Sequence, residues 1–321
     1  MSEQRMVMEA SLAALWRGET AALVVVAATE GSTYVRAGAM ALFGAGDTQV
    51  GWLSGGCLEP EIALNACTAA AAGQVAWMDV DTRDDEDLFS GSALGCRGRL
   101  RLALLPLRAL TGWDEVVRDW LQGAALQLTI EEAGVVAAVI GGRRLRWRLP
   151  VSAAVSALPP LPCRLPIAAP RRVLVFGAGP ESAGLLPLLR RLGWMTTVVE
   201  RRERWRAQAQ LADRVIEGDA ATVVVDPDAA PYAAALVMQH NFELDRAALA
   251  ALAGSVIPLI GLLGPPRRRE DLFRVLPESA RATLAPRLHS PVGLDLGGHG
   301  PEAIALSIAA QLQAWRGGEA P

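Results

Sequence analysis

The chain has 321 residues, of which 51% are hydrophobic, and its formal net charge at pH 7 is −3. This length predicts two domains, and the small net charge argues against nucleic acid or an anionic membrane surface as a partner. All 31 basic residues are arginine, which excludes a lysine Schiff base and a Walker A phosphate loop. The four cysteines form no CxxC pair and no apolar run has membrane-spanning length, so we expect a reduced, soluble, cytoplasmic protein.

Apolar patterning in the first half predicts an opening helix followed by short strands. Residues 6–17 place apolar side chains at helical spacing, and residues 21–28 are an apolar run of strand length. Residues 38–53 predict a hairpin, and residues 58–72 predict a helix. Further strands are expected near 75–80, 99–105, 126–131, 135–140 and 143–149, with a helix over 113–121. These elements predict an α+β domain with a mixed sheet over residues 1–160.

The most distinctive stretch of this half is the turn Ser54-Gly55-Gly56-Cys57-Leu58-Glu59, which lies between the hairpin and the next helix. Pro60 is typical of a first helical turn, so Cys57 is expected at a helix start. Two glycines permit a tight turn or close approach to a ligand, and a helix N-terminus favours a phosphate or a thiolate. The alternative is a Gly-Gly turn followed by a small buried cysteine.

A second glycine-flanked cysteine occurs in Gly95-Cys96-Arg97-Gly98. It follows an acidic cluster over residues 79–87, whose spacing does not match an EF-hand loop and which we interpret as a solvated loop. Cys67 lies on the alanine-rich helix, where a small core residue is the expected role. No set of residues in the chain has a spacing that predicts a metal site.

A proline-rich segment separates the two halves. Residues 158–170 contain five prolines, which cannot pair in a central strand. We therefore expect a linker over 158–170 with the domain boundary near residue 165. Cys163 lies in this segment and receives no role.

The second half begins with the pattern of a dinucleotide-binding unit. A strand over 172–176 is followed by Gly177-Ala178-Gly179, a helix, and a strand over 196–199 that ends at Glu200. Gly177 permits the tight turn, Gly179 lets the backbone approach a pyrophosphate, and Ser182 occupies the position of the third glycine. This pattern predicts a Rossmann-like fold, which alone does not establish nucleotide binding.

Two cofactors are compatible with the end of the second strand. Glu200 is placed to bind a ribose 2′-hydroxyl, which favours NAD, whereas Arg201 and Arg202 would suit a 2′-phosphate. Strands and helices then continue to alternate, including a predicted strand over 221–225, so we expect a doubly wound parallel sheet over residues 170–321. Three histidines lie in this half, and nothing in their spacing requires a metal site or a general base.

Several segments together, in chain order, resemble the XdhC/CoxI family of accessory proteins. In the first half they are Gly31-Ser32-Thr33, Arg36 with Gly38-Ala39, the 54–59 turn, and Gly95-Cys96 with Gly98. In the second half they are 175–179, His240 to Asp245, Ile260 to Gly264 with Arg267-Arg268, 288–295 and 301–306. Arg97 departs from the family pattern, and so does Asn241-Phe242, which stands where the family usually has Asp-His.

The resemblance implies a protein that binds the molybdenum cofactor, protects it during sulfuration and delivers it to a xanthine dehydrogenase-type molybdenum hydroxylase. It implies the hydroxylase apoenzyme and a cysteine desulfurase as partners, and a homodimer. Cys57 and Cys96 match the cysteines expected to hold the cofactor, with Ser54, Gly55, Gly56 and Glu59 around Cys57. We assign no catalytic residue, because no histidine in the first half can activate Cys57 as a nucleophile.

Two other functions are compatible with the same residues. The first is an NAD(P)-dependent oxidoreductase that uses Gly177, Gly179, Ser182 and Glu200 to bind its cofactor. The second is a docking protein whose Rossmann-like half no longer binds a nucleotide.

Overall fold

A computed structural model describes residues 4–46, 48–81, 98–152, 163–224 and 231–315. The chain folds as two compact units, residues 1–170 and residues 171–321. Within the described residues, no helix combines the length and the hydrophobicity needed to cross a bilayer.

The first unit is built on a five-stranded sheet with one helix on each face. Its elements are α1 (Gln4–Trp16), β1 (Ala21–Gly31), β2 (Met40–Gly44), β3 (Gln49–Val50), α2 (Glu59–Ala72), β4 (Ala76–Asp81) and β5 (Gly98–Pro106). The strand order is β3-β2-β1-β5-β4, and every pair is antiparallel. Along β1, Leu23 and Val25 pack towards α1, whereas Val24 packs towards α2. Because successive side chains of a strand alternate between faces, an apolar run such as β1 predicts a strand buried on both sides.

A four-stranded sheet completes the first unit. Its strands are β6 (Leu126–Ile130), β7 (Val135–Ile140), β8 (Arg143–Arg148) and β9 (Cys163–Ile167), in the antiparallel order β8-β7-β6-β9. Helix α3 (Trp113–Leu121) precedes these strands in the chain. The buried indole of Trp113 donates to Ser11 Oγ at 3.1 Å, which joins α3 to α1. Burial of a side chain of this size contributes roughly 2–3 kcal/mol.

Two details of this unit differ from the sequence-based expectations. The α+β class is confirmed, but both sheets are antiparallel, and a single bridge from Val75 to Val151 is parallel. The segment predicted as a linker contains strand β9, because an edge strand can include a proline when its missing N–H faces away from the neighbouring strand. Cys163 is therefore a strand residue. Residues 153–162 lie outside the described part of the chain.

The second unit is a parallel sheet with helices on both faces. Its strands are β10 (Arg172–Phe176), β11 (Met195–Val199), β12 (Arg214–Ile216), β13 (Ala234–Val237), β14 (Leu259–Leu262) and β15 (Leu288–His289). Its helices are α4 (Ser182–Arg191), α5 (Arg206–Ala209), α6 (Ala220–Val224), α7 (Phe242–Ala253), α8 (Pro266–Val275), α9 (Glu278–Leu284) and α10 (Pro301–Ala314). The order β12-β11-β10-β13-β14-β15 is that of a Rossmann fold, which confirms the prediction.

Alternate residues of the central strand separate the two faces of this sheet. Val173 and Val175 of β10 pack with α4 and α10, and Leu174 packs with α7. The predicted strand over 221–225 is wrong, since residues 220–224 form α6 and Val223 packs into the core from that helix. The third strand is instead β12, which lies at the sheet edge and is mostly exposed, so it lacks the apolar pattern of a buried strand.

Candidate functional site

The turn that carries Cys57 leaves the five-stranded sheet at the end where β1 finishes and β5 begins. Gly31 and Gly98 face each other at that end. After Val50 the chain runs back along β2, so that Gly51 lies against Met40 and Ala41 at the start of β2. The turn is thus at the same end of the sheet as Gly98. Gly98 follows Cys96 by two residues in the sequence, and Cys96 itself lies outside the described residues.

The Glu59 carboxylate holds this turn together from inside. Glu59 is the first residue of α2 and is buried. Its Oε1 accepts the backbone N–H groups of Ser54 at 2.8 Å and of Leu53 at 3.1 Å, while its Oε2 accepts the Ser54 hydroxyl. The Ser54 Oγ in turn accepts the N–H groups of Gly56 and Leu58, each at 3.2 Å. Four backbone N–H groups of the turn therefore have partners within it.

Burial by itself raises the pKa of the Glu59 carboxyl, but the hydrogen bonds from Ser54 and from the Leu53 N–H outweigh burial and hold that pKa below its usual range. A negative charge therefore lies at the N-terminus of α2, where the helix dipole favours it. The position predicted for an external anion is filled by a carboxylate of the chain itself.

Cys57 is exposed, which excludes the alternative of a small buried cysteine. Its Sγ lies 3.7 Å from Ser54 Oγ. Among the residues of the turn that were predicted to bind a cofactor, Gly55, Gly56 and Cys57 are exposed, whereas Ser54 and Glu59 are buried. The two buried residues fix the turn, and the Cys57 thiol is exposed to solvent on it.

Of the two glycines in the turn, only Gly56 has a backbone conformation that favours glycine, and this difference gives a direct test of the geometry. Gly56 has a φ of +103°, whereas Gly55 has no positive φ and open space where a Cβ would lie. Gly56→Ala should lower the free energy of unfolding by about 1–3 kcal/mol, the usual cost of a strained backbone conformation. Gly55→Ala should change it by less than about 0.5 kcal/mol. Equal effects in urea denaturation would contradict this geometry.

The glycine turn of the second unit follows β10 at the carboxyl edge of the parallel sheet. Gly177 has a φ of +88°, and a Cβ there would lie 2.7 Å from the Cα of Gln239 at the end of β13. The N–H of Gly179 donates to Ser182 Oγ at 3.0 Å, and the N–H of Ala178 donates to Glu200 Oε2 at 2.8 Å. The structure thus brings together the four residues predicted to bind a nucleotide.

Their contacts are different from those expected for a nucleotide site. Glu200 is buried, and its carboxylate accepts the Arg202 guanidinium at 2.7 and 2.9 Å and the backbone N–H of Arg202 at 2.8 Å. Burial raises the pKa of Glu200, but Arg202 and the Ala178 N–H outweigh it and lower that pKa overall. Glu200 therefore binds the turn where a ribose was expected, and Arg202 binds Glu200 where a 2′-phosphate was expected.

Two more buried carboxylates lie at the same edge of the sheet. Glu181 Oε1 is 3.1 Å from His240 Nε2, and it would lie 2.6 Å from a Cβ on Gly179. Asp245 binds the Arg268 guanidinium through two hydrogen bonds, at 2.5 and 3.1 Å. Asn241 caps α7 by accepting the Leu244 N–H at 3.0 Å, which gives the family departure at this position a structural role.

Comparisons with known proteins match both units. A family model described as "XdhC and CoxI family" matches residues 14–81, and one described as "XdhC Rossmann domain" matches residues 173–312. The chain belongs to the XdhC/CoxI family. The resemblance seen in the sequence is thereby confirmed.

Relatives of this XdhC/CoxI chain align over most of its length. A protein of Bacillus subtilis (strain 168), described as a probable subunit of xanthine dehydrogenase, is 27% identical over 316 residues, which are 92% of each chain. A crystal structure described as a xanthine dehydrogenase from Bacillus halodurans is 26% identical, with a TM-score of 0.75, and the match covers 96% of this chain and 94% of that one.

In this XdhC/CoxI protein, functional roles for Glu181, Asp245 and Arg268 were not predicted from the sequence. A usable signal was present, because each residue follows a predicted strand of a parallel sheet by a few positions, and the carboxyl ends of such strands meet at one edge. Hydrogen bonding between these residues depends on neighbouring strands that are far apart in sequence, so the pairs themselves could not be predicted.

Proposed function

We propose that this protein binds the molybdenum cofactor at the 54–59 turn, protects it during sulfuration and delivers it to a xanthine dehydrogenase-type molybdenum hydroxylase. The observation that carries the proposal is the exposed Cys57 thiol on a turn whose neighbouring amides are already satisfied. The turn falls within the segment that matches the XdhC and CoxI family model. The names of the relatives associate the family with xanthine dehydrogenase.

The chemistry of the exposed groups fits such a cargo. A cysteine thiolate is a soft ligand and suits a metal centre that carries sulfur. Trp52 is half exposed, and one of its ring carbons lies 3.9 Å from the position of a Cβ on Gly56, so an aromatic face lies beside the turn. A flat heteroaromatic ring such as a pterin is a suitable partner for that face. Arg36, exposed in the loop at the same end of the sheet, offers a cation for a phosphate group.

Purification from a host that makes the cofactor tests the proposal, with pterin and molybdenum measured per chain. Cys57→Ser should reduce both by at least about tenfold, which corresponds to a loss of about 1.4 kcal/mol of binding free energy. Cys67→Ser is the matched control, because Cys67 lies on α2 with its Sγ 3.3 Å from the Gly44 carbonyl oxygen, and it should load like the wild type. Unchanged loading of Cys57→Ser would refute the assignment.

Further parts of the proposal rest on the resemblance. Cys96→Ser in the same assay tests the predicted second contact. The hydroxylase apoenzyme and a cysteine desulfurase are the predicted partners, and a homodimer is the predicted assembly. Co-purification of the apoenzyme with the loaded protein, compared with the Cys57→Ser variant, measures the delivery step.

The alternative of an NAD(P)-dependent oxidoreductase is not favoured. The N–H groups of Ala178 and Gly179, which a pyrophosphate would need, donate to Glu200 and Ser182. A bound dinucleotide would also meet the buried Glu181 carboxylate beside Gly179. Titration of the purified protein with NAD(H) and NADP(H) tests this alternative directly.

A further inference from the structure

The carboxyl edge of the parallel sheet carries three ion pairs that share one orientation. In each pair the carboxylate is buried and the cation is more exposed. The side chains of the pairs are exposed by 4% and 52% (Glu181 and His240), 2% and 18% (Glu200 and Arg202), and 1% and 24% (Asp245 and Arg268). The negative charges thus point into the protein, and the positive charges lie towards its surface.

Gln239 connects these pairs at the end of β13. Its N–H donates to Asp245 Oδ1 at 3.2 Å, and its carbonyl accepts Arg202 Nη1 at 2.6 Å. His240 is the next residue in the chain. The three cations therefore surround one short backbone segment and belong to one surface.

His240 is held in an uncommon conformation at this point. Its φ is +51°, and among the described residues it is the one non-glycine residue with a positive φ. Such a conformation persists where neighbouring contacts determine it, and it occurs preferentially at ligand sites. Here Gln239 fixes the backbone and Glu181 binds Nε2 of the ring. Within the described part of the chain Nδ1 makes no hydrogen bond, and half of the side chain is in contact with solvent.

We propose that this edge of the sheet binds the phosphate group of a small phosphorylated molecule through His240 and Arg268, with Arg202 behind them. Nε and Nη2 of Arg268 donate to Asp245, and Nη1 makes no hydrogen bond within the described residues. Together with the His240 Nδ1–H it supplies donors for a phosphate oxygen. The glycine-turn amides do not take part, and the proposal does not rest on the function proposed for the Cys57 turn.

Protonation of His240 makes the binding depend on pH. The hydrogen bond to Glu181 is the main cause that raises the pKa of His240, and the negative charges of Glu181 and Asp245 raise that pKa further. Burial and the positive charge of Arg268 act in the opposite direction and lower it. These are the charged groups that face the ring. The imidazolium therefore persists to a higher pH than in free histidine, and phosphate binding should weaken as the pH rises through that raised pKa.

Titration of the full chain with inorganic phosphate and with phenyl phosphate tests the proposal, with the histidine rings followed by NMR. Each ligand should move the His240 ring signals and raise the His240 pKa, with at least tenfold tighter binding at pH 6 than at pH 8.5. His240→Asn should lose at least tenfold in affinity. Asparagine tolerates a positive φ and can donate to Glu181, so this variant should remain folded. His299→Asn, in an exposed loop of the same unit, should bind like the wild type.

Three outcomes would overturn the proposal. The first is no movement of the His240 signals at phosphate concentrations of tens of millimolar. The second is equal phosphate affinity of His240→Asn and the wild type, both folded by circular dichroism. The third is phosphate binding that is lost when the glycine turn is altered by Gly179→Ala but kept in His240→Asn.

Discussion

Arg268→Ala is expected to lower the free energy of unfolding of the second unit by about 3–5 kcal/mol at pH 7, the usual cost of removing one partner from a buried ion pair. Asp245 is almost fully buried and receives two hydrogen bonds from the Arg268 guanidinium. Without them the carboxylate keeps only the Gln239 N–H among its hydrogen bonds in the described residues. Urea denaturation, followed through the transition of this unit, measures the loss.

The loss of stability in Arg268→Ala should be smaller at low pH. Burial raises the pKa of Asp245 above that of a free aspartate, and Arg268 opposes that shift. Removing Arg268 should therefore raise the pKa of Asp245 further. An acid whose pKa is higher in the folded state contributes stability at low pH that is lost as the pH rises through the folded pKa. The deficit of the variant should shrink as the pH falls towards about 4, the ordinary pKa of an aspartate.

Arg267→Ala is the matched control for this prediction. Arg267 is the neighbouring residue on α8, its side chain is largely exposed, and its ion pair with Asp271 is 3.8 Å long. Exposed ion pairs contribute roughly 0–1 kcal/mol, so this variant should be close to the wild type. Equal losses for the two variants would show that the Asp245–Arg268 pair does not stabilise the fold.

Much of the fold followed from sequence patterns that act locally. The apolar run of β1, the alternating strands and helices of the second half and the glycine turn after β10 each have a strong local signal. Strands β9 and β12 were missed because both lie at sheet edges. An edge strand needs few apolar residues and tolerates proline, so its pattern resembles that of a loop. Residues 220–224 were misassigned because a run of valines favours a strand unless tertiary packing decides otherwise.

The roles of individual residues within the two candidate sites were not predictable from the sequence. At both glycine turns the sequence indicated an anion site next to a helix. In each turn a glutamate of the same chain supplies the anion: Glu59 binds the amides of Leu53 and Ser54, and Glu200 binds the amide of Ala178. Whether such a glutamate faces a ligand or its own turn depends on side-chain direction, which residue spacing does not determine.

Glu59→Ala is expected to destabilise the first unit by about 3 kcal/mol at pH 7, because buried donors that lose their acceptor cost about 1–3 kcal/mol each. The N–H groups of Leu53 and Ser54 and the Ser54 hydroxyl all lose their partner in this variant. Glu61→Ala is the matched control, since Glu61 is exposed in the same first turn of α2 and should cost less than about 0.5 kcal/mol.

Glu59→Ala also tests whether cofactor loading needs the fixed turn or only the Cys57 thiol. The pKa of Glu59 is lowered in the folded protein, so its contribution is present above its ordinary pKa of about 4.5 and is lost as the pH falls through the lower, folded value. The stability gap between Glu59→Ala and the wild type should therefore be constant at neutral pH and should narrow as the pH falls below about 4.5. At pH 7, Glu59→Ala should also load less cofactor although the thiol is intact, because the turn that presents Cys57 is no longer fixed. Normal loading in a destabilised Glu59→Ala protein would show that the thiol acts without the turn.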